Sequence, residues 1–295
     1  MRTRTRWFAA GTIGVAALLL SACGTTHTAD SMDSDGGMTM SDMNIDAGSM
    51  SSHVHNLAFD GTRLIIGTHE GLWAQSGEDE PVQISADGFD VMGFAMGGST
   101  WFASGHPGAG MDAPDNLGLM VSNDSGKTWT NLSLSGEVDF HRLVALGKVA
   151  MGISSSNGHL LRTEDGGKTW ADLDATTLYD IALAPADADT VIGTSEKGLM
   201  RSIDGGKTFT KVEGAPLLAL LSVTGMRTIG ADVYGTVFES TDAGLTWTQI
   251  GKLASQPSAF AASGELIAAL VDTTVYLSTD GGETFTKHLV GIGGH

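Results

Sequence analysis

One short pattern, S/T-x-D-x-G-x-T-W/F, recurs five times from residue 122 onward and constrains the fold more than any other feature of the chain. The copies run Ser122–Trp129, Thr163–Trp170, Ser202–Phe209, Ser240–Trp247 and Ser278–Phe285. Their aspartates, Asp124, Asp165, Asp204, Asp242 and Asp280, are spaced by 41, 39, 38 and 38 residues. A near-constant period of that length predicts one small antiparallel sheet per repeat, the blade of a propeller. The class is therefore all-β.

Each copy has the chemistry of a tight turn. The Ser/Thr and Asp side chains accept hydrogen bonds from backbone N–H groups, and the glycine supplies a position with positive φ. The Thr-Trp/Phe pair opens the next strand with a ring that packs between blades. No nucleophile and no acid/base pair is present in it. The pattern resembles the Asp-box, the bacterial neuraminidase repeat. The chain is thereby similar to Asp-box β-propeller lipoproteins often labelled exo-α-sialidase or glycosyl hydrolase. That resemblance implies a fold, whereas a function has to be argued from a site.

With four strands a to d per repeat, running from the channel outward, the box occupies the c–d turn. Counting 24 residues back from a box aspartate reaches the start of strand a: His141, Asp180, Leu218 and Gln256. Blade 2 carries an insertion, Pro107 to Asn116, so its counterpart is Met92. A further blade precedes these, because Ile65-Ile-Gly-Thr matches Val191-Ile-Gly-Thr of blade 4. Its strand a starts at His55, and its box is eroded around Asp79. Six blades are expected, over residues 53–291.

The chain ends imply export. Arg2, Arg4 and Arg6 precede the apolar run Trp7 to Leu20, and Leu20-Ser-Ala-Cys23 resembles a bacterial lipobox. Residues 1–22 are then a lipoprotein signal peptide. Cys23, the single cysteine, becomes the lipidated N-terminus on the extracytoplasmic face of the cell membrane. No intrachain disulfide remains available. Removing the leader takes three arginines and no acid from a net charge of −18. Such an acidic chain does not suit nucleic acid as a partner. Residues 23–52 hold five Asp, six Ser and five Met with no Lys or Arg, the composition of a disordered tether.

Histidines concentrate at one mouth of the channel. The ring formed by the starts of strand a reads His55, Met92, His141, Asp180, Leu218, Gln256, with His53, Asp90, Asp139 and Leu178 two residues earlier. His69 follows His55 by 14 residues, and His106 follows Met92 by the same step, placing both at the ends of strand b. Imidazoles suit zinc, copper, nickel and iron, and a thioether shifts the choice toward copper. A metal site from His53, His55, His69, His106 and His141, with Met92 as a soft ligand, is the favoured reading, and copper the favoured ion. Met32, Met38, Met40, Met43 and Met50 in the tether add an MxMxxM pattern suited to Cu(I).

Two other readings stay open. The resemblance to sialidases implies an arginine triad, a Tyr/Glu pair and an aspartate at the channel wall. The ring has no arginine, and strand alternation is expected to turn Arg142 and Tyr179 away from the channel. Asp139 and Asp180 remain as a carboxylate pair for a hydrolase or carbohydrate-binding protein. The third reading is an assembly or interaction module, similar to the Asp-box propeller that assists photosystem assembly, though without its basic patch.

Overall fold

Runs such as Leu64-Ile-Ile-Gly and Thr190-Val-Ile-Gly are rich in β-branched residues, so they form short buried strands. The computed structural model describes residues 45–46, 50, 52–173 and 177–293. These build six sheets, each with four antiparallel strands, and no helix among the described residues. In each sheet four strands follow one another in chain order, joined by hairpins. The innermost strands are Val54–Asp60, Asp90–Met96, Phe140–Leu146, Asp180–Ala184, Leu218–Thr224 and Ala259–Ser263. They stand side by side around a channel, the last packed against the first. The protein is a six-bladed β-propeller.

The core is divided among the blade interfaces. Six hydrophobic clusters each join one blade to the next, such as Ile65, Leu72, Phe89 and Trp129 between blades 1 and 2. Each box ring lies in the interface with the preceding blade: Trp129, Trp170, Phe209, Trp247 and Phe285. The box glycine permits this approach. At Gly167 φ is +92°, and a Cβ there would stand 2.2 Å from Leu119 Cδ2 of the neighbouring blade. Blade 1 has no box, and its interface with blade 6 is filled by Met50 and Ile292 from near the chain ends.

Met50 corrects part of the tether expectation. Its side chain is 1 % exposed, and Ile45–Asp46 pairs in parallel with the outer strand of blade 6, Thr286–Val290. The folded unit thus starts before His53. A buried Met50 belongs to the core and not to a metal-collecting tether. The leader, Cys23, and Met32, Met38, Met40 and Met43 lie outside the described residues.

The boxes form five copies of one turn. In the blade 4 copy Ser202 Oγ accepts from the buried Gly206 N–H at 2.9 Å and donates to Asp204 Oδ1 at 2.7 Å. Asp204 accepts from Thr208 N–H at 2.9 Å and from its hydroxyl at 2.6 Å. These bonds to the ionised form hold the box carboxyls below the usual range, Asp124 and Asp242 at about 2. Burial counts most at Asp242 and opposes the shift, whereas at Asp124 the Thr128 hydroxyl leads. The serine, not the aspartate, satisfies the buried N–H.

Candidate functional site

Strand registry shows how the mouth is built. In four blades strand a carries one extra residue near its start: His55, Met92, His141 and Ala219 each fall between paired neighbours. A β-bulge bends the strand, leaves its extra residue out of the ladder and re-aims the side chain. In blade 2 the bulge is fastened from blade 1, where Asn56 Nδ2 donates to the carbonyls of Val91 and Met92, both at 3.0 Å. Three of the four bulged residues are thus the two histidines and the methionine that sequence spacing singled out.

Registry and exposure correct the expectations at Leu218, Gln256, Arg142 and Tyr179. Blades 4 and 6 lack this bulge. The ring position of blade 5 is Ala219, since Leu218 is buried in the interface with blade 4. Gln256 lies exposed ahead of strand Ala259–Ser263. Because the extra residue at His141 breaks strict alternation, Arg142 lines the mouth, as does Tyr179. Arg142 Nε stands 3.5 Å from Asp180 Oδ1.

Around the mouth, a cavity of ≈ 440 Å³ is lined by His53, His55, Met92, His141, Arg142 and Tyr179, among others. The histidines sort into two groups, each holding an aspartate from the opening of a blade. In the first, His69 Nδ1 lies 2.9 Å from Asp90 Oδ2. His55 Nε2 lies 3.5 Å from Asp90 Oδ1 and 3.5 Å from His69 Nδ1. The His53 ring sits edge-on to His55, with centroids 4.8 Å apart. In the second, His141 Nε2 lies 2.7 Å and His106 Nε2 3.5 Å from Asp139 Oδ2.

Electrostatics favour ligation at the first group. Burial, outweighing the attraction of Asp90, lowers His55 to about 4, and the other histidines push it the same way. His55 is therefore neutral at physiological pH, the form that coordinates. Asp90 was legible as a mouth residue but absent from the expected ligand set; its position two residues before the ring was the signal.

Asp180 has a different surrounding. Its Oδ1 accepts from Ile181 N–H at 2.9 Å, and its Oδ2 accepts from Leu221 N–H of blade 5 at 2.7 Å. Burial pushes this carboxyl up, opposed by Arg142 and those two N–H groups. It ties blade 4 to blade 5. Outside the mouth groups, His159 Nδ1, just ahead of strand Leu160–Thr163, meets Asp172 Oδ2 at 2.9 Å, and His288 Nε2 reaches Gln75 Oε1 of blade 1 at 2.9 Å.

Fold and site together define a six-bladed β-propeller with a histidine- and aspartate-lined channel mouth. No protein-family model matches the chain, and no curated protein does. Solved structures of similar fold include a GH74 xyloglucanase from Xanthomonas campestris, with a TM-score of 0.54 at 15% identity over 80% of this chain. This chain spans 45% of that enzyme's length. YCF48 bound to D1 peptide aligns over 81% of this chain and 83% of its own, with a TM-score of 0.50 and 18% identity. The WD40 propeller domain of Doa1 gives 0.54 and 10% identity over 81% of this chain and 82% of its own. At these identities the likeness is one of fold. Neighbours of this fold thus include glycoside hydrolases and interaction modules.

Proposed function

We propose that this protein is an exported, lipid-anchored propeller that binds a transition-metal ion at the channel mouth without catalysing a reaction, and that the ion is copper. One observation carries the reading: two imidazole nitrogens and a carboxylate, from His55, His69 and Asp90, converge within 4.8 Å of one another. Two histidines and a carboxylate suit a divalent first-row ion with open coordination positions. Met92 on the same mouth, and the methionine pattern Met38-Thr-Met-Ser-Asp-Met43 ahead of the propeller, favour copper within that class. The leader and Cys23 support delivery to the extracytoplasmic face, where a metal-collecting protein meets its cargo.

A hydrolase reading has Arg142 and Tyr179 at the mouth in its favour. Against it, both carboxylate oxygens of Asp180 are held by backbone N–H groups, which leaves Asp139 without its proposed partner. Titration of the chain with Cu(II), Cu(I) and Zn(II), alongside the His55→Ala/His69→Ala double variant, tests the metal reading. The expected result is tight binding that the double variant weakens. No binding tighter than ~10 μM to any of the three ions would reject it.

A further inference from the structure

We infer that the mouth holds a second divalent transition-metal site, built from His106, Asp139 and His141, separate from the one at His55, His69 and Asp90. The inference rests on the reading of the mouth as metal-binding and doubles its stoichiometry.

Repeat geometry carries the first part of the argument. Asp139 opens blade 3 as Asp90 opens blade 2, and His106 ends strand b of blade 2 as His69 follows strand b of blade 1. Each aspartate thus meets a histidine from the preceding blade, across the same blade-to-blade step. The ring histidine differs: His55 comes from the earlier blade of its pair, whereas His141 comes from the later one. One arrangement has been built twice, with the third ligand drawn from opposite sides.

The second part is the state of the carboxylate. Asp139 is fully buried at 0 % exposure. Its Oδ2 meets both histidines and accepts from Ser155 Oγ at 3.1 Å, while its buried Oδ1 has no hydrogen-bond partner. A buried anion needs a counter-charge and satisfied oxygens. Both histidines approach Oδ2 and leave Oδ1 unsatisfied, and a divalent cation among the three groups supplies charge to the whole carboxylate. Asp90 repeats the feature, since its buried Oδ1 also lacks a hydrogen bond.

The third part is the orientation of His106. Its Nδ1 lies 2.8 Å from the Asp115 carbonyl oxygen, which can only accept. Nδ1 therefore carries a proton, and Nε2, turned toward Asp139, is the nitrogen left to meet a metal ion. Fixing a ligand histidine through a backbone carbonyl on its other nitrogen is the usual outer-shell device of metal sites. Asp115 belongs to the insertion 107–116 that blade 2 alone carries. The insertion therefore sets the tautomer of His106.

Zn(II) and Co(II) are the probes, because both favour nitrogen and oxygen donors over the thioethers ahead of the propeller. Equilibrium dialysis of the full chain should give two ions per chain. His106→Ala, at a partly exposed position, should remove one ion and leave the other, and Asp139→Asn should do the same. His69→Ala should remove the complementary ion, so that the Co(II) visible spectra of His106→Ala and His69→Ala sum to that of the wild type. One ion in the wild type, unchanged by His106→Ala, would overturn the second site and leave the first intact. Loss of all metal on either single change would overturn it too, by showing one ion shared across the mouth. No metal in the wild type would reject the underlying reading itself.

Discussion

His69 Nδ1 stands 2.9 Å from Asp90 Oδ2, a contact that joins the end of the second strand of blade 1 to the opening of blade 2. The ligands of the first site are thus carried on two rigid sheets whose spacing is set by the packed interface of Ile65, Leu72, Phe89 and Val91. Sites on strand ends supported by packing are held more closely than sites on loops.

Asp90→Asn keeps the shape of that contact and removes its charge. Affinity for Zn(II) and Cu(II) should fall by about ten-fold or more, roughly 1.4 kcal/mol, read by competition with a chromophoric chelator. Thermal melting without metal should change little. An unaltered affinity would remove Asp90 from the ligand set.

His55 sets a pH dependence of the metal-free protein. Its folded value, about 4, lies below the unfolded 6.5, so between those limits the unfolded chain binds more protons. The stability tied to His55 is therefore complete above pH 6.5 and is lost as pH falls toward 4. His55→Gln should flatten the fall in stability across that window relative to wild type, measured by urea unfolding at steps of pH. The box aspartates act in a lower window, below 3.8, where Asp124 and Asp242 protonate near 2. Identical slopes for wild type and variant between pH 6.5 and 4 would show that His55 is not held neutral by burial.

The propeller and its six blades were legible in the sequence because a box at constant spacing is a local signal repeated five times. The mouth histidines were legible for the same reason, through the 14-residue step shared by His55 and Met92. Part of what was missed follows from one-residue irregularities. A bulge at His141 changes which way Arg142 faces, and only strand registry reveals it. The choice of Ala219 over Leu218 has the same origin. Met50 was grouped with its polar neighbours by composition, although the boxless interface between blades 6 and 1 gives a lone apolar side chain a place to pack.

Cys23 lies outside the described residues, and its lipidation is a prediction from Leu-Ser-Ala-Cys alone. Cys23→Ala should leave an unprocessed precursor or release the protein from membranes, seen by fractionation and by mobility on a gel. A variant that fractionates and migrates like the wild type would show that Cys23 is not the anchor.

The division of labour inside the box gives the last prediction. Ser202 is 2 % exposed and accepts the buried Gly206 N–H, whereas the N–H groups that Asp204 accepts belong to the exposed face of the turn. Removing the serine hydroxyl leaves a buried donor unsatisfied, at a cost of ~1–3 kcal/mol. Asp204→Asn keeps an acceptor oxygen, and water reaches the N–H groups it served. Ser202→Ala should therefore destabilise the protein more than Asp204→Asn, as a lower urea midpoint at unchanged m-value. Neither change should alter metal binding at the mouth, because the box lies in the c–d turn at the opposite end of its blade. An Asp204→Asn variant less stable than Ser202→Ala would mean that the carboxylate charge, and not the buried N–H, holds the turn.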